Sequence, residues 1–248
     1  MRYLILSDIH ANLEALEKCL ELARGKYQKV LCLGDLVGYG PDPNAVVEMM
    51  RRTASVMIRG NHDKACCGMM NVDDFNPWAR QATYWTREML SLNHIAFLRQ
   101  LAPGPLTMPG FEMVHGSVEN EDQYIIEPAE AIPALWNQSV QLVFFGHTHL
   151  QGGFLLNRAG VFQKISGGSR ASGHILTLDL EDGTRYLINP GSVGQPRDGN
   201  WRAAFAIFDE TKRRIDFYRA EYDIATTQEK MSRANLPEPL IQRLEFGR

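Results

Sequence analysis

The sequence predicts an α/β fold that closes with a set of short antiparallel strands, and three observations carry that expectation. In the first 60 residues, short apolar runs alternate with stretches of helical periodicity, which is the signature of βαβ units and a parallel sheet. Each of these runs stops at a polar block: Asp8-Ile9-His10, then Gly34-Asp35, then Gly60-Asn61-His62-Asp63. Beyond residue 150 the chain becomes a series of short strand-like runs separated by Gly and Asp-Gly turn signals.

Residues 2–7 read as a buried strand, 12–24 as an amphipathic helix, and 30–33 as a second strand ending at Gly34-Asp35. A helix over about 44–51 leads to a third run, 54–58, which stops at the Gly60 block. In open parallel sheets ligands collect beyond the carboxyl ends of the strands, where all three blocks fall. Residues 64–100 hold Met, Trp, Arg and Asn in helix-like order, and they are read as a helical cover over that edge. Runs at 111–114 and 142–145 end in Val114-His115-Gly116 and Gly146-His147-Thr148-His149, so the second half delivers side chains by the same device. The runs at 154–156, 161–165, 175–180, 186–188, 203–208 and 214–218 predict a mostly antiparallel second sheet. From about 224 to 248 an amphipathic segment interrupted by Pro237 and Pro239 reads as a C-terminal helical strap packed on the sheets. A length of 248 residues allows all of this in a single domain, 1–248.

Composition narrows the partners. A net charge of −3 gives no electrostatic reason to expect duplex nucleic acid or an anionic membrane surface. No apolar stretch reaches the length of a membrane span or signal peptide. Four cysteines, Cys19, Cys32, Cys66 and Cys67, lack a zinc-ribbon spacing and read as reduced thiols in a cytoplasmic protein. The expected partner is a small phosphorylated substrate, with a homo-oligomer left open.

The blocks hold the chemistry. Asp8 with His10, and His147 with His149, are spaced two apart, and on an extended backbone both side chains of a pair point to one side. Asp35 has two oxygens with which to bridge two cations, Asn61 offers a neutral carbonyl oxygen, and His115 a further imidazole. Seven positions with no thiolate suit two divalent first-row ions (manganese, iron, zinc or nickel) better than calcium. Two such ions about 3.5 to 4 Å apart clamp phosphorus for in-line displacement and acidify a bridging water, so that a metal-bridging hydroxide attacks. His62, directly after Asn61, is expected beside the metals without ligating them, placed to act as general acid. Asp63 is expected to cap the next helix or orient a neighbour. His94 and His174 read as structural. Tyr39, Asn76, Trp78 and Arg80 either line the rim or pack the cover. Arg197, or the backbone amides of 189–194, are candidates for meeting a substrate phosphate.

The order D-x-H, G-D, G-N-H-D, H, G-H-x-H resembles that of the calcineurin-like metallophosphoesterases. The resemblance spans Asp8 to His149, and the strand pattern after it also fits. It implies a four-layer αββα sandwich of two mixed β-sheets flanked by helices. By the family's pattern Asp8, His10, Asp35 and His149 would hold one metal, and Asp35, Asn61, His115 and His147 the other, with His62 as proton donor. The protein-phosphatase and symmetrical dinucleoside tetraphosphatase branches carry G-D-x-V-D/N-R-G, whereas this chain reads Gly34-Asp35-Leu36-Val37-Gly38-Tyr39-Gly40, and Asp63 stands where the phosphoprotein branch has glutamate. The chain is more similar to the small bacterial YfcE-type phosphodiesterases, whose N-P-G-S segment is matched by Asn189-Pro190-Gly191-Ser192. A phosphodiesterase is therefore expected. The alternatives are a nucleotide or dinucleoside polyphosphate hydrolase, a protein phosphatase, and a non-catalytic scaffold, which His62 argues against.

Overall fold

Strand β1 (Arg2–Leu6) shows how the sandwich is built, because its side chains alternate between two apolar layers. Tyr3 and Ile5 enter the layer between the sheets, while Leu4 and Leu6 face helices. A strand buried on both faces needs a continuous apolar run, which is what the sequence holds there. The computed structural model describes residues 1–167 and 171–248.

Helix α1 (Leu13–Ala23) follows β1, its amino end capped by Asn12, which accepts from Ala15 N at 3.1 Å. Then come β2 (Lys29–Cys32), α2 (Pro43–Thr53) and β3 (Val56–Met57). Three helices, α3 (Asn61–Cys66), α4 (Pro77–Met89) and α5 (Leu92–Gln100), lead to β4 (Leu106–Met108) and β5 (Phe111–Met113). Helix α6 (Pro128–Asn137) precedes β6 (Leu142–Phe144), β7 (Gly152–Leu156) and β8 (Phe162–Ser166). The chain continues through β9 (Gly173–Asp179), β10 (Arg185–Asn189), β11 (Ala203–Asp209) and β12 (Arg214–Ala220) to α7 (Ile224–Arg233) and α8 (Glu238–Phe246).

The strands form two six-stranded sheets of order β3-β2-β1-β11-β12-β9 and β4-β5-β6-β10-β7-β8. Both are mixed. The expectation of a separate antiparallel second sheet is corrected here: β11, β12 and β9 extend the first sheet from β1, and the second sheet keeps a parallel centre, β5-β6-β10. Strand β11 is apolar on both faces, so its place is beside β1 rather than at an edge.

Between the sheets Phe111 meets Tyr3, Phe144 and Phe208 edge-on at 5.3, 5.6 and 5.5 Å. Such pairs add about 0.5–1.5 kcal/mol each beyond the area they bury. Helices α1 and α2 cover the first sheet through Ala15, Leu16, Val46, Val47 and Met50, and α6 covers the second through Ala131 and Leu135. The result is the four-layer αββα sandwich.

Local boundaries differ from the sequence reading, and helix α6, which contains Pro133, was not read from the sequence. The third strand shrinks to two residues because Ala54 caps α2. Residues 67–76 interrupt the 64–100 segment without helix. Six strands with their carboxyl ends at one edge, β1, β2, β3, β5, β6 and β10, are each followed by one of the polar blocks or by the Asn189 segment.

Candidate metal centre

The side chains of Asp8, His10, Asp35 and His149 present donor atoms within 4.8 Å of one another, and Asp35, His115 and His147 form a second such group. All six are buried, and Asp35 is common to both groups. Asn61, equally buried, places Oδ1 3.2 Å from His115 Nε2 and so adjoins the second group.

The pairs do not converge by strand alternation, as their spacing suggested. Asp8, His10, Asp35, His147 and His149 all have positive φ, between 49° and 64°. The backbone has left the extended form and turns left-handed, a conformation that costs an L residue energy and persists only when its surroundings enforce it. Enforcement is visible: Asp8 N donates to Gly34 O at 3.1 Å and His10 N to Asp35 O at 3.0 Å. Close approach fixes two glycines. A Cβ on Gly60 would sit 2.1 Å from Asp35 Oδ1, and one on Gly146 would sit 2.1 Å from Ser7 Oγ.

Asp63 knits the second block to the third. Its carboxylate accepts from the amides of Asp35, Leu36, Val37 and Gly60 at 2.8, 2.9, 3.3 and 3.0 Å, so it both orients and caps.

Each imidazole is oriented by a main-chain carbonyl. His10 Nδ1 donates to Val37 O at 3.1 Å, His115 Nδ1 to Leu33 O at 2.8 Å, and His149 Nδ1 to Gln195 O at 2.6 Å. His147 is turned the other way, with Nε2 donating to Asp122 O at 3.1 Å. A carbonyl accepts and never donates, so in the neutral rings the lone pairs stand on His10, His115 and His149 Nε2 and on His147 Nδ1. His10 Nε2 and His149 Nε2 lie 3.0 Å apart, a contact that repels when both are lone pairs and is relieved by a shared cation. Asp35 Oδ2, 3.7 Å from His10 Nε2 and 3.4 Å from His115 Nε2, is buried with no hydrogen-bond donor. Carboxylate, amide and imidazole donors arranged in this way fit divalent first-row metal ions.

Electrostatics agree with that fit. Burial holds His147 down to about 3 and His62 to about 4, and drives His10 and His149 well below the ordinary imidazole value. His115 is the exception. Burial opposes its charge most strongly, yet Asp35, Asp8 and the carbonyl of Leu33 together outweigh it and hold the imidazole up to about 10. A cation is thus favoured beside Asp35.

His62 stands apart from both groups. Its ring packs against Tyr39 at 4.4 Å, Phe75 at 5.0 Å and His10 at 5.0 Å, and it opens on a cleft of about 310 Å³ shared with Asn61, Asn76, Tyr124 and His147. Of the rim candidates, Tyr39 and Asn76 line that cleft. Trp78 and Arg80 are absent from its wall; Trp78 projects half exposed from α4. Arg197 Nη2 donates to Tyr39 Oη at 3.4 Å and to Gln195 Oε1 at 2.9 Å.

The backbone amides of 189–194 do not form a phosphate cradle. Gly191 N donates to Asn189 Oδ1, Val193 N to Ser7 O and Gly194 N to Asp8 O, so the segment braces the Asp8 turn instead. His94 bonds Asn44 on α2 at 2.7 Å, and His174 is exposed on the edge strand β9. The four cysteines are free and buried.

Sequence reading missed the support behind His147. Tyr124 lies tilted against its ring, centroids 3.9 Å apart, and Lys64 holds the segment in place by pairing with Asp122 at 2.7 Å and Glu121 at 2.9 Å. The adjacent acids Glu121-Asp122 were the available signal, but nothing local says which cation they meet.

The chain matches the calcineurin-like phosphoesterase superfamily domain over residues 1–213. It is similar to a metallophosphoesterase from Sphaerobacter thermophilus of known structure, with 40% identity, a TM-score of 0.85, and coverage of 100% of this chain and 99% of that one. It is 34% identical to the uncharacterized protein MJ0912 of Methanocaldococcus jannaschii, covering 98% of this chain and 97% of the relative. It is also similar to phosphodiesterase YfcE of Escherichia coli K12, with 27% identity over 84% of this chain and 88% of that one. The strand-end donors, the two mixed sheets and these matches converge: the chain belongs to the calcineurin-like phosphoesterase superfamily of metal-dependent phosphoester hydrolases.

Proposed function

We propose that the protein is a phosphodiesterase with a dinuclear metal centre, in which Asp8, His10, Asp35 and His149 hold one divalent ion and Asp35, Asn61, His115 and His147 the other. The observation that carries this reading is Asp35 Oδ2, a buried carboxylate oxygen without a donor between two groups of imidazole nitrogens. When bound, the two ions supply Lewis acidity to the phosphoryl oxygens and acidify a water. The protein's own part is orientation and proton transfer. Carbonyls of Val37, Leu33, Gln195 and Asp122 aim the four imidazoles, so little reorganisation remains during the reaction. His62, on the wall of the cleft and outside both donor groups, protonates the departing ester oxygen as general acid. Tyr39, Phe75 and Tyr124 narrow the entrance, and Arg197 receives the anionic substrate there.

Elemental analysis of the purified protein, joined to turnover of bis(4-nitrophenyl) phosphate, tests the reading. Two equivalents of first-row metal are expected. Chelation should abolish turnover, and manganese should restore it while raising the midpoint of thermal unfolding. A metal-loaded protein that hydrolyses no phosphodiester, phosphomonoester or dinucleoside polyphosphate overturns it.

A further inference from the structure

Several arginines of this protein pair with acids, whereas Arg87, Arg99 and Arg185 spend their donors on main-chain carbonyls. Arg219 meets Asp198, Arg59 meets Glu121 at 2.9 Å, and Arg202 meets Glu221 at 2.8 Å. Arg197 and Arg243 also have no Asp or Glu side chain within ion-pair distance among the described residues, and both are partly buried. Both guanidinium carbons approach the same ring, at 5.7 and 5.8 Å from the centroid of Tyr39. That ring is 4.8 Å from His10 and 4.4 Å from His62, so the two cations stand beside the proposed metal centre.

Their hydrogen bonds leave capacity unused. Arg197 Nη2 reaches only neutral acceptors, Tyr39 Oη and Gln195 Oε1, and its buried Nε has no partner. Arg243 Nε donates to the main-chain oxygen of Arg248, the last residue of the sequence, and no partner is seen for its two terminal nitrogens among the described residues. Burial, and then the neighbouring Arg197, lower Arg243 to about 10. Two like charges held together against burial destabilise a fold unless an anion joins them. Nor is their proximity accidental. Helix α8 is fastened there by Leu240, Ile241 and Leu244, which pack with Tyr39 and with Ala79 and Ala82 of α4.

We infer that Arg243 and Arg197, on the ring of Tyr39, form an anion subsite for a second phosphoryl group of the substrate, adjoining the phosphoryl group held at the metal centre. The inference rests on the proposed function and narrows its substrate class to phosphoesters that carry a neighbouring phosphate, such as nucleoside diphosphates and disubstituted diphosphates. A lone diester phosphate bears one negative charge, which the metal ions already answer. Guanidinium pairs match the several oxygens of an additional phosphate by bidentate hydrogen bonding.

The test compares AMP with ADP as competitive inhibitors of bis(4-nitrophenyl) phosphate turnover, with manganese in excess over both nucleotides. The wild-type protein should bind ADP at least about 10-fold more tightly than AMP, and Arg243→Ala should bring the two within about 2-fold. Arg243→Gln, which keeps the stem against Tyr39, serves if the alanine variant does not fold, and Arg243→Glu should reverse the preference. Equal affinities in the wild type, or a preference unchanged in the variants, overturn the inference. If the wild type turns over no diester, it is the proposed function that fails. The ADP-to-AMP ratio is then read by calorimetric titration of the manganese-loaded protein, with the same expected and overturning results.

Discussion

The floor of the cleft and its rim are built by opposite rules. On the floor the donors follow strand ends and are buried, and the carboxylates and imidazoles are each held by at least one main-chain partner, as with His149 on Gln195 O and Asp35 Oδ1 on His62 N at 2.8 Å. The rim draws on loops, with Tyr39, Phe75 and Tyr124 on the cleft wall, and behind them Arg197 and, on α8, Arg243 stand over the ring of Tyr39. Its contacts are ring stacking and side-chain hydrogen bonds as long as 3.4 Å. The difference assigns chemistry to the sheets and substrate choice to the segments that lie over them. Rigid elements hold a reacting geometry to a fraction of an ångström, whereas loops adjust to different partners.

The comparison breaks first at Asp35. Asp35→Asn removes the carboxylate shared by both groups, so metal content should fall from two equivalents to one or fewer and aryl diester turnover by about 10³-fold or more. Retention of both ions by that variant would separate Asp35 from the bridging role. Next comes His62→Asn, expected to cost about 100-fold on substrates with poor leaving groups while elemental analysis finds the metals intact. An unchanged rate would remove His62 from proton transfer. Asp63→Asn touches the floor through stability instead: one acceptor oxygen becomes a donor facing buried amides, and unfolding in urea should report a loss of about 1–3 kcal/mol. Arg197→Gln belongs to the rim, and its signature should be a roughly 10-fold rise in KM with metal content unchanged. A loss of metal in that variant would show that floor and rim are not separate. The smallest effect is expected at Trp78→Ala, which exposes no cavity and lies outside the cleft wall, with stability within about 0.5 kcal/mol and kinetics unaltered.

How much of this was legible in the chain follows the same division. The floor announces itself in five short blocks because each donor lies next to a glycine or at the end of an apolar run, and both features are local. The rim does not. Arg243 looks like an ordinary helical arginine until α8 packs on Tyr39, and Tyr124 reads as a loop residue until Lys64 draws Asp122 toward α3. Helix α6, with Pro133 inside it, went unread, and strand alternation misled at Asp8 and His147, where the backbone turns left-handed.

By itself the sequence determined the donor types, their order, and the sheet edge at which they gather, since apolar period and the residues that stop it are properties of a few neighbouring positions. Tertiary structure alone decided that β9, β11 and β12 join the first sheet, which nitrogen of each imidazole stays free, and that two arginines 46 positions apart share one aromatic ring. These depend on which distant carbonyl, strand or helix comes within reach, and that is set by burying two apolar sheet faces together rather than by any local preference.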